Sequence, residues 1–191
     1  VDGEAYRPAR GPVRLPIDRA FSLPGIGTVV TGTLVRGTLR AGDPVGVEPQ
    51  GLASKARTLQ SHGRRTDTAT PGSRVAVNLP GIEVGDVARG AVLCTPGSLA
   101  ATRLVDARLD LLPSAPRPLK HRERVRVHLG TCEILARVHL LGADAAAPGD
   151  TAIPAQIVCE GDVAPARGER FVLRAYSPAR AIGGGTVLDP A

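Results

Sequence analysis

Apolar and polar residues alternate in short runs along the chain, and no stretch sustains the period of a helix. The clearest run opens at Ile17. Ile17, Arg19, Phe21 and Leu23 would share one strand face, with Asp18, Ala20 and Ser22 on the other. Pro24, Gly25, Ile26 and Gly27 then predict a turn, since proline presets φ and glycine supplies φ > 0. Thr28, Val29, Val30 and Thr31 resume as a β-branched strand. Gly32 lacks a Cβ and so permits a bulge or a close backbone approach. This hairpin is the stretch around which the rest is organised. Its oddity is Asp18 beside Arg19, two opposite charges inside an otherwise apolar strand: either a solvated strand end or a polar recognition site on a rim.

Further short strands follow, punctuated by Gly and Pro. Residues 34–43 carry a strand to a turn, 44–48 form another, and 55–59 begin a third. Residues 63–70 read as a polar loop, and strands are expected over 74–79 and 87–93. Thr95, Pro96, Gly97 and Ser98 mark a domain boundary. A second series then runs over residues 104–112, 122–130, 133–141, 151–160 and 170–175. A hairpin closes the chain, turning at Ser177-Pro178 into a strand whose Gly183, Gly184 and Gly185 let another backbone come close. Residues 1–13 are polar and irregular and read as a linker from something upstream. Many short strands at close spacing predict an all-β barrel or sandwich.

Composition narrows the chemistry. Apolar residues make up 42% of the 191, enough for a core, but aromatics are 2% and Trp and Met are absent, so Val, Leu, Ile and Ala must fill it. The net charge is +6, and Lys55 and Lys120 are the only lysines among the cations. A basic, arginine-rich balance allows a phosphate-rich partner. Cys94, Cys132 and Cys159 are far apart and odd in number, with no C-x-x-C, so they read as small buried hydrophobes in a reducing compartment rather than as a zinc site or redox pair. No phosphate loop, nucleophile elbow, carboxylate pair or H-E-x-x-H motif occurs, so neither a catalytic site nor a bound metal is expected in these residues. No run is long and apolar enough to span a bilayer, and no signal peptide is seen, which predicts a cytoplasmic protein without a membrane partner.

The opening hairpin, with its GTVVTG strand, resembles the start of the second domain in translational GTPases of the elongation factor Tu group. The closing stretch from Arg170 to Pro190, with Arg174, the Ser177-Pro178 turn, Arg180 and the glycine triplet before Val187, is similar to the end of the third domain in bacterial selenocysteine-specific elongation factors. The resemblance covers nearly the whole chain. It implies two consecutive small antiparallel β-barrels, all-β, like domains 2 and 3 of elongation factor Tu: residues 14–97 with an aminoacyl pocket and residues 98–191 with a tRNA contact. The GTPase domain, with its GTP and Mg2+, and the winged-helix domains that take the selenocysteine insertion mRNA hairpin would lie outside these residues. The implied function is to bind selenocysteyl-tRNA for GTP-dependent delivery to the ribosome at recoded UGA codons. The rivals are the barrels of an ordinary elongation factor, of an initiation factor, or of the GTPase-like subunit of sulfate adenylyltransferase.

The resemblance also implies site residues. The Glu-Asp pair and the Phe of the elongation factor Tu pocket fall on Asp18, Arg19 and Phe21, its His on His62, and its Asn on Arg74. Arg19 and Arg74 each put a cation where elongation factor Tu has none. A selenol is mostly selenolate at neutral pH, so a cationic pocket favours it over the neutral hydroxyl of a seryl group; about 1.4 kcal/mol of difference suffices for tenfold. Asp18 would orient an arginine or hold the free α-amino group. In the second barrel, Arg122, Arg124 and Arg126 alternate on one predicted strand, and Lys120, His121, Arg174 and Arg180 add to a basic stripe that would hold tRNA phosphates. Stacking aromatics are too scarce for single-strand binding.

Overall fold

A computed structural model describes residues 9–190. Residues 1–8 of the expected linker lie outside the described residues, and strand begins at Arg14. The chain forms two compact units, one ending at Leu99 and the other beginning at Ala100.

The first unit carries β1 (Arg14–Leu23), β2 (Gly27–Thr33), β3 (Leu39–Arg40), β4 (Pro44–Glu48), β5 (Leu52–Lys55), β6 (Thr58–Ser61), β7 (Arg64–Thr66), β8 (Thr68–Ala69), β9 (Arg74–Asn78) and β10 (Val92–Cys94). Eight of them form one antiparallel sheet in the order β5-β4-β10-β1-β2-β9-β6-β7, while β3 pairs with β8. The sheet curls around Leu15, Val30, Leu34, Leu39, Val47, Leu59, Val77, Leu79 and Leu93, all fully buried.

β1 serves both halves of this sheet. Arg14 to Pro16 pair with β10, and Ile17 onward pairs with β2. The register slips at the change: Ile17 faces Gly32, and Arg19 faces Thr31. Asp18 is therefore the extra residue of a β-bulge, which bends the strand and changes which residues point inward. The simple alternation expected for this strand does not hold. Ile17 is buried and Ala20 packs on the core, while Arg19, Phe21 and Leu23 are exposed. The bulge needs Gly32, because a Cβ there would lie 2.2 Å from the Pro16 carbonyl oxygen and 2.5 Å from Leu15 Cδ2.

Other boundaries also differ from expectation. The expected loop over 63–70 contains β7 and β8, because the exposed side of an edge hairpin tolerates polar residues. The strand expected over 55–59 breaks at Ala56 and Arg57, whose N–H groups turn away to the carbonyls of Asp43 and Asn78. Residues 34–43 keep only β3 as strand, since the Leu34 and Val35 N–H groups bond Ser73 and Arg14 outside a regular ladder. A short 3-10 turn, Val84–Asp86, delays the strand expected from 87 until Val92.

The second unit holds β11 (Thr102–Leu111), β12 (Leu119–Lys120), β13 (Glu123–Leu129), β14 (Cys132–Leu140), β15 (Ala145–Ala146), β16 (Ile153–Val163), β17 (Arg170–Ala175) and β18 (Ala181–Asp189). Six close into a barrel in the order β11-β16-β14-β13-β17-β18, and β12 pairs with β15. The glycine triplet works as the sequence suggests. A Cβ on Gly183 or Gly185 would stand 2.5 or 2.4 Å from a β11 carbonyl oxygen, and the Gly185 position is further closed by the Phe171 ring at 2.6 Å. Among the described residues, no helix is long and apolar enough to cross a membrane.

Two measurements check this packing. Gly32→Ala forces the Pro16 backbone away and should destabilise the chain by about 1–3 kcal/mol, outweighing the smaller gain from a stiffer unfolded chain. Gly85→Ala, with open space around its Cβ and no positive φ, is the neutral control in the same urea titration. Equal midpoints for the two variants would contradict the bulge packing. Burial also pushes the Cys159 thiol up to about 11. A thiol reagent near neutral pH should therefore label Cys159 no faster than the protein unfolds.

Candidate functional site

The bulge turns Asp18 outward, where it meets β9. Arg74 grips its carboxylate with both fork nitrogens, Nη1 to Oδ2 at 2.5 Å and Nη2 to Oδ1 at 3.0 Å. The Thr31 hydroxyl donates to Oδ1 at 2.7 Å. Burial pulls the Asp18 carboxyl upward, but the hydrogen bonds from Arg74 and Thr31 and the charges of Arg74 and Arg19 outweigh it and hold the group below its ordinary value. Arg19 lies directly across from Thr31 and has no ion-pair partner among the described residues. Phe21 lies two residues further along the same exposed face. His62 follows β6 with φ 52°, and its Nδ1 is 3.1 Å from Ser61 Oγ, which donates to the Arg74 carbonyl at 3.0 Å. The structure thus joins Asp18 and Arg74 directly, with Arg19 beside them. It brings His62 to Arg74 only through Ser61.

Two depressions border this cluster. A cleft of about 460 Å3 is lined by Ile17, Asp18, Arg19, Ala20, Val84, Val87, Ala88 and Arg89. A groove of about 290 Å3 is lined by Gly25, Ile26, Arg57, Thr58, Gln60, Arg65 and Asn78. Arg19, Thr31, Ala76, Gln60 and Arg65 form one cross-strand row, and Phe21, Val29, Asn78 and Thr58 the next, so cluster and groove share a face. Asn78 is buried and donates to the carbonyls of Ile26 and Thr28, both at 3.0 Å, which ties the hairpin tip to β9. Sequence reasoning missed Thr31, Asn78 and Arg89. A signal existed for Asn78, since a polar residue ending the apolar run Val75-Ala76-Val77 must find partners when buried.

On the second barrel the expected basic stripe divides. Val125 and Val127 point inward, so Arg124 and Arg126 project outward from β13. Arg137 lies directly across from Arg124 on β14, and Arg174 directly across from Arg126 on β17. Arg124 binds both oxygens of Glu160 at 2.6 Å, and Arg126 binds Glu133 at 2.7 Å. Their guanidinium carbons lie 4.7 and 5.6 Å from the centre of the exposed Tyr176 ring. The hydrogen bonds from Arg124 and Arg126 hold the Glu160 and Glu133 carboxyls below their ordinary values. Arg174 donates to the Ala179 carbonyl. Arg180 lies in the turn between β17 and β18, where its backbone N–H bonds the Pro178 carbonyl.

Lys120 instead ends β12, and His121 and Arg122 make the corner that leads into β13. His121 stands against His139, with ring centres 5.4 Å apart, and Arg122 has φ 63°. Burial and the charges of Arg122, His121 and Arg137 push the His139 imidazole below its ordinary value. Tyr176, Arg137, Glu133 and Glu160 were not anticipated from the sequence. Glu160 and Tyr176 come from segments 36 and 50 residues away, which no local spacing signals, while Glu133 and Arg137 face β13 across its own hairpin with β14. Among the described residues, no cluster of His, Cys, Asp and Glu has the arrangement of a metal site.

The Asp18 cluster makes a pH prediction. A carboxylate whose folded value lies below its unfolded one, about 3.9, stabilises the fold above that pH and loses the contribution as pH falls through the folded value. The pair is partly exposed, so the contribution should be small and salt-sensitive. In an NMR titration the Asp18 carboxyl should turn over below 3.9 in the unmodified protein and move upward in Arg74→Ala. An unmoved midpoint would mean that the fork does not hold in solution.

Residues 27–94 match the family model for elongation factor Tu domain 2, and residues 106–191 match that for the β-barrel domain of selenocysteine-specific elongation factor. The chain is 42% identical over 177 residues to a selenocysteine-specific elongation factor of Desulfomicrobium baculatum, covering 93% of this chain and 28% of that protein. It is 31% identical to an elongation factor Tu of Streptomyces avermitilis, over 92% of this chain and 45% of that one. The crystal structure of a bacterial selenocysteine-specific elongation factor, EF-Sec, superposes with a TM-score of 0.80 at 28% identity, over 94% of this chain and 28% of the other. The chain thus spans less than a third of the length of these selenocysteine-specific relatives. In order along the chain, its two matched segments correspond to a domain 2 of the elongation factor Tu type and to the β-barrel domain of selenocysteine-specific elongation factors.

Proposed function

We propose that these two units are the tRNA-holding part of a factor that brings selenocysteyl-tRNA to the ribosome at recoded UGA codons. The observation that carries this reading is the Asp18–Arg74 fork beside Arg19, a cation left without an ion-pair partner among the described residues. The aminoacyl end enters the cleft over the bulge, where Arg19 supplies the unspent positive charge. Arg74 is partly neutralised by Asp18, so its role is shared: the carboxylate fixes the fork, and the fork keeps the carboxylate from repelling the selenolate. Phe21 lies on the same exposed face, and His62 approaches Arg74 through Ser61. The α-amino group of the amino acid competes for Asp18.

The second barrel takes the tRNA backbone through Arg124, Arg126 and Arg174, with Lys120, His121, Arg122 and Arg180 at its margins. Phosphate contacts of this kind fix position without reading sequence. These units do no covalent chemistry in this reading. GTP hydrolysis and its Mg2+ belong to a GTPase domain outside these residues, and the mRNA hairpin to further domains of the complete factor. The work takes place on cytoplasmic ribosomes.

The test compares the complete factor on one tRNA carrying either selenocysteine or serine. Arg19→Ala and Arg74→Ala should each weaken the selenocysteyl complex about tenfold more than the seryl complex, a difference of about 1.4 kcal/mol in binding. Arg74→Lys should keep part of the preference, because charge survives although fork geometry does not. His62→Ala should matter less, because His62 reaches Arg74 only through Ser61. Equal losses for both aminoacyl groups would make these arginines general tRNA contacts and favour an ordinary elongation-factor role.

A further inference from the structure

The arginine face of the second barrel holds its charges in an unusual way. Four guanidinium groups sit on adjacent strands as two directly opposed like-charged pairs, Arg124 with Arg137 and Arg126 with Arg174. Such pairs repel unless something separates them. Here each fork has one edge tied down. Glu160 takes Nε and Nη2 of Arg124. Glu133 takes Nη1 of Arg126, whose Nε bonds the Tyr176 carbonyl at 3.3 Å. Arg137 donates to the Arg122 carbonyl at 3.3 Å, and Arg174 to that of Ala179. The Arg124 and Arg126 side chains are only about a third exposed, 35% and 32%, although both stand on an outer face. Each still has an amino group outside these bonds, Nη1 of Arg124 and Nη2 of Arg126.

Tyr176 is the piece that joins the two halves. Both guanidinium groups lie within cation–π range of its ring. A ring occupied in this way is a platform for the forks. The face therefore presents a few fixed N–H groups at set positions, rather than a mobile cationic surface that moulds itself to any polyanion. Fixed donors suit the regular phosphate track of an RNA duplex, which is recognised by shape. A polyanion with different spacing gains full contact only by pulling Arg124 or Arg126 off its carboxylate.

We propose, building on the tRNA reading above, that Glu133 and Glu160 are specificity-determining residues of this face and that Tyr176 is its positioning residue. The carboxylates lower its appetite for anions in general and hold the forks in the aim that a tRNA helix requires.

The experiment uses the complete factor with its own tRNA, bulk elongator tRNA, and a plain DNA duplex, each titrated over a range of salt. The Glu133→Gln, Glu160→Gln double variant should bind the DNA duplex and bulk tRNA more tightly than the unmodified factor does. Its preference for its own tRNA over the DNA duplex should shrink, and its salt slope should steepen by about one to two, because two more cations become free to release counterions. Tyr176→Ala should weaken binding of the factor's own tRNA, and Tyr176→Phe should restore it, since the ring and not the hydroxyl is the platform. An unchanged preference and slope in the double variant would overturn the proposal, as would weaker binding to all three nucleic acids. Arg124→Ala with Arg126→Ala separates this from the broader reading. If that pair leaves tRNA binding intact, the face does not hold tRNA at all. If the pair weakens binding while the carboxylate variants keep the preference, only the present inference fails.

Discussion

One extra residue in β1 sets the arrangement of the first unit. A regular strand through Ile17 and Asp18 could pair with β10 or with β2, but it could not bend between them and keep Ile17 and Ala20 both in the core. The bulge does this, and the absent side chain at Gly32 gives it room. The same bend that satisfies the core ejects a carboxylate toward Thr31 and Arg74. Core packing and the polar site are thus two results of a single backbone irregularity. Deleting Asp18 would put Ile17 and Arg19 opposite Gly32 and Thr31 in a regular ladder, keeping the exposed face of the hairpin but removing both the bend and the carboxylate.

The two units treat arginine differently. In the first, Asp18 ties one cation while Arg19 and Arg89 border an open cleft without ion-pair partners among the described residues. In the second, opposed arginines are held apart by carboxylates and backed by an aromatic ring. The first arrangement leaves charge unspent for a small anion. The second spends part of its charge on order, a sensible exchange where the partner is a long polyanion whose attraction is never in short supply.

Much of this was legible in the sequence because it rests on local signals. Two-residue alternation and Gly/Pro punctuation carry the all-β architecture, and the glycine triplet foretells the close approach of β18 to β11. Asp18 and Arg19 stand out because charges interrupt an apolar strand. What could not be read was the slip in register at Asp18, since a bulge depends on the neighbouring strand and not on the bulged residues alone. The same limit hid Glu160, which reaches Arg124 from 36 residues away, whereas Glu133 and Arg137 sit across the β13–β14 hairpin, whose register alternation alone does not fix. The expected stripe on β13 was real as a strand face, but its significance lies in partners that no spacing along the chain announces.

The cations that converge on Tyr176 are all arginines, and the lysines of the chain, Lys55 and Lys120, lie on β5 and β12. Arginine keeps its proton at any pH a cell reaches. The four arginines Arg124, Arg126, Arg137 and Arg174 therefore hold their charge across that range, and none of them is an amine that an acetyltransferase could neutralise. Their grip is set by ionic strength and by the shape of what approaches them, a constant rather than an adjustable property of the molecule.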